Sequence, residues 1–117
     1  MRLWFIILTV ACGSRGDTGT CDRDPPLTYD NFGQAYLTKH CVGCHGTYLP
    51  EELREGAPIG IDLDTYDDAL FWAERIQARA TGSSPTMPPG GGPSEEERAK
   101  LQEWLNCHLI PAAGAAQ

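Results

Sequence analysis

The sequence predicts an all-α domain with three main helices and long loops between them. Apolar residues recur at helical spacing in three segments, and no segment alternates apolar and polar residues as a strand would. The 117 residues include 13 glycines and 9 prolines, which favour turns and loops. The apolar residues that remain would form a thin core, and domains this small often need a disulfide, a metal or a cofactor for stability.

The first predicted helix runs from about Tyr29 to Cys44. Thr28 precedes it as a candidate N-cap, because a threonine side chain can accept a hydrogen bond from a free N–H of the first turn. Phe32, Tyr36 and Leu37 share one face of this helix, as the spacing of a buried stripe requires.

The second helix is predicted from about Thr65 to Ala80, with Asp64 as its cap and Gly82 just past its end. Its apolar stripe consists of Tyr66, Ala69, Leu70, Ala73 and Ile76. The third helix is predicted from about Glu95 to Cys107, and Ser94 with Glu97 forms a capping box at its start. The buried face of this third helix is expected to contain Leu101, Trp104 and Leu105.

The first 11 residues have the pattern of an export signal, with a positive start, an apolar centre and small residues before Cys12. Residues 1–11 are too short for a bilayer span, which needs about 20 apolar residues. The segment before Cys12 resembles the bacterial lipoprotein signal, so we expect Cys12 to be lipidated. Thr9 stands where that signal usually has leucine, and Leu8 lies one place earlier. The alternative is a buried apolar segment.

Composition divides the rest of the chain into three parts. Residues 12–27 are polar and predict a flexible tether, residues 28–110 form the folded domain, and residues 111–117 form a disordered tail. The formal net charge of −7 argues against nucleic-acid binding through phosphate neutralisation. It favours partners with basic docking surfaces, and we expect the protein to be a monomer.

A C-x-x-C-H motif spans residues 41–45. Residues three apart lie on one face of a helix, so Cys41 and Cys44 can bond to the two vinyl groups along one edge of a haem. His45 would then lie beneath the ring, where its imidazole can bind the iron. Gly43 leaves space for the ring to approach the backbone.

A stiff loop of proline and glycine, residues 85–90, holds Met87 between the second and third helices. A thioether is a common second axial ligand of haem iron, and it raises the reduction potential. We therefore expect Met87 to bind the iron opposite His45. The ordinary role of an isolated methionine is core filling, which is the alternative here.

Other interpretations of these residues remain open. Cys41 and Cys44 would also suit a thioredoxin-type dithiol, although no βαβ pattern surrounds them. Cys41, Cys44 and Cys107 with one histidine would suit a structural zinc site. His40 is expected at the solvent-exposed rim, and His108 is an alternative to Met87 as the second axial ligand.

Together these features resemble the small class I cytochromes c, and bacterial lipoprotein-like members in particular. The resemblance extends over about residues 29–107. Gly33 and Leu37 precede Cys41 by eight and four residues. At these positions the family has a glycine and an apolar or aromatic residue, where its first and last helices cross. Leu101 and Trp104 match the paired positions of the last helix. The family's fold encloses one covalently bound haem c, here with Cys41, Cys44, His45 and Met87 as the cofactor-binding residues.

The resemblance implies further roles. The carbonyl of Pro58 would accept a hydrogen bond from the iron-binding histidine, and Arg54, Arg75 and Arg79 are candidates for the haem propionates. The first and last helices pack together in the family, and an exported protein meets an oxidising compartment. Cys21 and Cys107 are the cysteines left after haem and lipid attachment, so we expect a disulfide between them. The alternative is two free thiols.

The expected function is electron transfer, in which the iron cycles between Fe(III) and Fe(II) with His/Met axial ligation. No nucleophile, general base or open metal position is evident, so we do not expect an enzyme. The protein would be exported to the periplasm and anchored to a membrane through Cys12. The alternative function is a haem-based gas or redox sensor with an open or weakly ligated distal site.

Overall fold

The computed structural model describes residues 21–115, which contain helices and loops but no strand. The helices, in chain order, are α1 (a π-helical turn, Tyr29–Gly33, continuing as Gln34–His40), α2 (Val42–His45), α3 (Tyr66–Phe71), α4 (Ala73–Ala80), α5 (Glu95–Trp104, continuing as a π-helical segment, Leu105–Leu109) and α6 (Ile110–Ala115). One 3₁₀ turn, Glu51–Leu53, lies in the loop between α2 and α3. The all-α class is therefore confirmed for this part of the chain. The export signal, Cys12 and the tether up to residue 20 lie outside the described residues.

The core lies where α1 and α5 pack together with α3 and α4. The predicted face of α5 is confirmed, since Leu101, Trp104 and Leu105 are fully buried. The other large contributions come from α1, α3, α4 and the end of α5, namely Tyr36, Leu37, Ala69, Ala73, Ile76, Ala80 and Leu109. Of the chain that the structure describes, no helix is both long and apolar enough to cross a bilayer.

Helices α1 and α5 approach each other closely at Gly33 and Trp104. A Cβ atom at Gly33 would lie 2.5 Å from two carbons of the Trp104 ring, closer than van der Waals contact permits. The rings of Tyr29 and Phe32 flank the same indole, with centroids 6.5 and 6.2 Å away. A side chain at position 33 would therefore push the two helices apart.

Two of the three predicted helix caps are confirmed. Thr28 and Ser94 each accept a hydrogen bond from the backbone of the first turn and complete a capping box. For α3 the prediction of Asp64 is wrong, because Thr65 is the cap. Asp64 instead accepts hydrogen bonds from the backbone N–H and the hydroxyl of Thr47, both at 2.7 Å. Its carboxylate holds the preceding loop rather than the helix.

Two predicted helices are interrupted in the structure. The first bends at Cys41, whose N–H donates to Leu37 and whose carbonyl accepts from His45, so α1 and α2 form one kinked helical segment. The second is broken at Trp72, which leaves helical geometry between α3 and α4. Gly82 follows α4 with a φ of 86°, a conformation that favours glycine.

The described part of the expected tether, residues 21–27, is held against the domain rather than free. Cys21 forms a disulfide with Cys107. Arg23 donates two hydrogen bonds of 2.8 Å to the carboxylate of Glu103. Leu27 is buried in the core. The domain therefore includes residues from Cys21 onwards, several residues before the boundary that composition predicted.

The expected disorder after residue 110 is also corrected for residues 111–115, which are helical. Helix α6 packs against α3 and α4. Leu109 is buried and Ile110 packs against the core, so the chain is anchored where α6 begins. This burial stabilises a helical end whose small residues carry no apolar stripe of their own.

We expect Gly33→Ala to destabilise the domain, because the added methyl group meets the rigid indole of Trp104. Overpacking of this kind costs about 1–3 kcal/mol. The free energy of unfolding by chemical denaturation measures the effect. Gly114→Ala is the matched control, because a Cβ there meets nothing within 4 Å. Equal stability of the two variants would contradict the close crossing.

We expect Glu97→Gln to lower stability at neutral pH but not in strong acid. Glu97 accepts hydrogen bonds from the Ser94 backbone at 2.8 Å and from Lys39 at 2.9 Å, and His40 Nε2 lies 3.2 Å away. The pKa of this carboxyl is lowered to about 2, mainly by the hydrogen bond from the Ser94 backbone and then by those from Lys39 and His40. A depressed carboxyl pKa stabilises the fold above the unfolded-state value and loses that effect as pH falls.

The wild type and the Glu97→Gln variant should therefore converge in unfolding free energy between about pH 4.5 and pH 2, the range set by the ordinary and shifted pKa values. The control is Glu96→Gln, whose highly exposed carboxylate pairs with Lys100 at 3.0 Å. A pH-independent difference for Glu97→Gln would refute the electrostatic origin.

Candidate functional site

A largely apolar cavity of about 360 Å³ lies between the C-x-x-C-H segment, the loop before α3, helix α4 and the Met87 loop. Its volume falls within the range of about 300–1,000 Å³ typical of small-molecule and cofactor sites. The motif and Met87 loop contribute Cys41, Cys44, His45, Met87, Pro88 and Pro89 to its lining. The remaining lining includes Arg54, Pro58, Ile61, Leu63, Trp72, Arg75, Ile76 and Arg79. Residues distant in sequence thus meet at one cavity.

The two thiols of the motif both face this cavity. Burial, with a further contribution from Cys44, raises the pKa of Cys41 to about 12. The pKa of Cys44 is also raised, first by desolvation and then by Glu55, whose carboxylate lies 3.6 Å from the sulfur. Both groups are therefore neutral thiols at physiological pH. Redox-active dithiols instead need a thiol with a lowered pKa, so this environment disfavours the thioredoxin-type interpretation.

The imidazole of His45 is fixed by the chain segment that precedes α3. Its Nδ1 lies 2.8 Å from the carbonyl oxygen of Ile61, so Nδ1 carries the proton and donates it. The backbone carbonyl of His45 also accepts a hydrogen bond of 2.8 Å from Leu63. The proton on Nδ1 leaves Nε2 as the lone-pair nitrogen available to a ligand. Histidines that bind a metal through one ring nitrogen typically donate a hydrogen bond from the other.

The carbonyl that supports His45 is not the one that the resemblance implied. Pro58 was expected to accept this hydrogen bond, but Ile61 does. The Pro58 carbonyl accepts instead from Arg54, with a distance of 2.9 Å to Nη2. Arg54 lies inside the loop, and its hydrogen bond fixes the Pro58 carbonyl away from the histidine.

Arg54 is the residue around which this loop folds. Its side chain is only 1% exposed. It donates to the carbonyls of Gly46, Ala57, Pro58 and Ile61, at distances from 2.6 to 3.2 Å, and pairs with Asp62 at 2.8 Å. Sequence analysis suggested Arg54 only as a candidate for propionates. Its donors are directed largely to the protein backbone, whereas Arg75 and Arg79 line the cavity and are exposed.

Met87 is brought to the cavity by hydrogen bonds to its own backbone. The N–H groups of Thr86 and Met87 donate to the carbonyl of Arg79, at 2.8 and 2.9 Å. The Met87 carbonyl accepts a bond of 3.0 Å from Arg98. The side chain lines the cavity while remaining 36% exposed. The loop is thus tied both to α4 and to α5.

Trp72 is a cavity residue that the sequence analysis did not identify. It lies at the break between α3 and α4 and lines the cavity. Its ring makes an edge-to-face contact with Phe71, with centroids 4.8 Å apart, and Phe71 is 78% exposed. The helix break was not visible in the sequence, because residues 65–80 fit one continuous helical pattern.

The zinc alternative does not assemble in the structure. Cys107 is bonded to Cys21 and has no free thiol. His40 packs against Tyr36, with ring centroids 4.8 Å apart, and neither His40 nor His108 lines the cavity. Within residues 21–115, no three or more histidine, cysteine, aspartate or glutamate side chains form a group that could hold a metal ion.

Comparisons of the chain with family models, with curated proteins and with solved structures found no match. We therefore infer function from the chemistry of the cavity. The site combines two neutral thiols, an oriented imidazole and a thioether around a largely apolar space. Neither cysteine has the lowered pKa that is one way of activating a nucleophilic thiol.

Proposed function

We propose that this protein is a single-haem c-type cytochrome, with the small cytochrome c fold, that transfers single electrons. The observation that supports the proposal is the joint lining of one cavity of about 360 Å³ by Cys41, Cys44, His45 and Met87. A largely apolar cavity with a few oriented polar groups is the usual form of a cofactor site. The haem would also supply apolar mass that a domain of this size otherwise lacks.

The residues present fit a haem c. Cys41 and Cys44 would hold it through two thioether bonds. The Nε2 of His45 would bind the iron, because its Nδ1–H donates to the Ile61 carbonyl. Met87 would bind the iron as well. When bound, the haem supplies the Fe(III)/Fe(II) couple.

Residues of the chain would set the environment and the reduction potential of the bound haem. Leu63, Trp72 and Ile76 line the cavity with apolar surface, and a low-dielectric environment disfavours additional charge. The Met87 thioether favours the reduced state and so raises the potential. Arg75 and Arg79, which line the cavity and are exposed, would bind the two propionates.

The location and partners follow from the same proposal. We place the protein in the periplasm as a lipoprotein anchored through Cys12, where an oxidising environment would preserve the Cys21–Cys107 disulfide. Its partners would be redox proteins with basic docking surfaces, because the chain carries a formal net charge of −7. It would act as a monomer and would not bind nucleic acid or catalyse a reaction.

A haem-based sensor is the second candidate, and one observation favours it. The Met87 side chain is 36% exposed, so the second axial position is less protected than that of a fully buried ligand. A weak or absent methionine bond would leave the iron open to a gas ligand. An absorption spectrum separates the two functions: a methionine–iron charge-transfer band supports the carrier, and a high-spin spectrum that shifts with carbon monoxide supports the sensor.

We expect Met87→Ala to retain covalent haem but to lose the low-spin spectrum. Cys41, Cys44 and His45 remain in the variant, whereas the thioether is removed. The iron should become high-spin or bind water, and its reduction potential should fall. Absorption spectroscopy and potentiometric titration measure both effects.

Thr86→Ala is the matched control for the methionine variant. Its hydroxyl lies 3.5 Å from the Arg79 carbonyl at the limit of hydrogen bonding, and its backbone bond to the same carbonyl is unaffected. The control should keep the wild-type spectrum. An unchanged spectrum in Met87→Ala would mean that Met87 is not a ligand of the iron.

We expect electron transfer to cationic reagents to slow as salt is added. The attraction between an acidic protein and a cation is screened beyond a Debye length, about 8 Å at physiological ionic strength. Stopped-flow oxidation of the reduced protein by tris(phenanthroline)cobalt(III) should therefore slow with ionic strength, while oxidation by ferricyanide should accelerate. If both rates are insensitive to salt, the acidic residues form a solvated coat that does not influence partner choice.

A further inference from the structure

We propose that Arg54 is a positioning residue that weakens the hydrogen bond from His45 to the Ile61 carbonyl and thereby raises the reduction potential of the site. This inference rests on the proposed function, since it concerns the histidine that would bind the iron. It assigns to Arg54 a role other than propionate binding. The basis is the sharing of one carbonyl oxygen by two donors.

His45 and Arg54 share one acceptor, the Ile61 carbonyl oxygen. The Ile61 oxygen lies 2.8 Å from His45 Nδ1 and 3.0 Å from Arg54 Nη2. A carbonyl oxygen has two lone pairs, so both bonds can form together, with the two Nη2 protons of Arg54 shared among Pro58, Ile61 and Asp62. A bond from a charged guanidinium is the stronger of the two kinds, and it draws electron density from the oxygen. The oxygen is then a weaker acceptor for the imidazole.

The effect reaches the iron-binding nitrogen through the ring. A strong acceptor at Nδ1 makes a metal-bound imidazole more basic, and a basic ligand stabilises the oxidised metal. By weakening that acceptor, Arg54 makes His45 a weaker electron donor to the iron. The reduced state gains relative to the oxidised state, so the potential is higher than it would be without Arg54.

The charge of Arg54 acts in the same direction. The guanidinium is almost fully buried beside the cavity, and a fixed positive charge disfavours the more positive, oxidised state. Asp62, at 2.8 Å, offsets part of this charge but sits on the more solvent-accessible side, with 19% of its side chain exposed. The two contributions can be separated, because a lysine preserves the charge but not the planar fork of donors.

A purely structural role is the alternative. Arg54 also binds the carbonyls of Gly46, Ala57 and Pro58, so its removal would destabilise the loop whatever its effect on His45. A structural role alone would lower the unfolding free energy. It would leave the Nδ1–H group of His45 unchanged in the molecules that remain folded.

The test uses the haem-loaded protein and the variants Arg54→Met and Arg54→Lys. Lys100→Met is the matched control, because it removes a positive charge that lies outside the cavity lining, where Lys100 pairs with Glu96 at 3.0 Å. The readouts are the NMR shift of the His45 Nδ1–H proton in the diamagnetic ferrous state and the reduction potential. Covalent haem in the wild type is established first by mass spectrometry. Its absence would overturn the proposed function and this inference together.

We expect the Nδ1–H resonance to move downfield in both Arg54 variants, because the Ile61 carbonyl then accepts from His45 alone. In Arg54→Met the one-electron equilibrium should shift at least threefold towards the oxidised state, about 28 mV at 59 mV per decade. Arg54→Lys should show a smaller fall in potential. Lys100→Met should leave the resonance in place. Should Arg54→Met fail to fold, the resonance in Arg54→Lys decides. An unmoved resonance in every folded Arg54 variant would overturn the inference while leaving the proposed function intact.

Discussion

The cavity depends on a buried cation that satisfies the backbone of an irregular loop. The chain between His45 and α3 forms only one short 3₁₀ turn, so many of its carbonyls have no partner in a helix or sheet. Buried backbone groups without partners are costly, and burying an unpaired charge costs several kcal/mol more. Arg54 addresses both problems at once, because its guanidinium binds four carbonyls and one carboxylate. The loop consequently presents the Ile61 carbonyl to His45 in a fixed position.

The opposite side of the cavity is built on a similar principle. Arg98 of α5 donates to the carbonyl of Ala80 at the end of α4, at 2.9 Å, and to that of Met87, at 3.0 Å. One arginine thus orders the loop that supports the histidine, and another orders the loop that carries the methionine. The crossing of Gly33 and Trp104 sets the spacing of α1 and α5.

Sequence patterns predicted the parts of this structure that depend on local chemistry or periodicity. The three helical regions, the caps at Thr28 and Ser94 and the buried face of α5 belong to this class, because each involves residues a few positions apart. The shared Ile61 carbonyl could not be predicted. It depends on the path of an irregular loop, which no periodicity describes, and any carbonyl from 57 to 62 is chemically equivalent as an acceptor. Asp64 and Thr65 were equally good caps by type, and the contact of Asp64 with Thr47 decided between them.

The Cys21–Cys107 disulfide joins residues 86 positions apart and encloses α1 to α5 in one covalent ring. A protease that cut any exposed loop between these cysteines would therefore open the ring but release no fragment. The cut pieces would remain attached at Cys21 and Cys107, with the packed core to hold them in register. Such a nicked chain would stay connected to whatever precedes Cys21, so damage to the loops would not by itself detach the domain from its N-terminal segment.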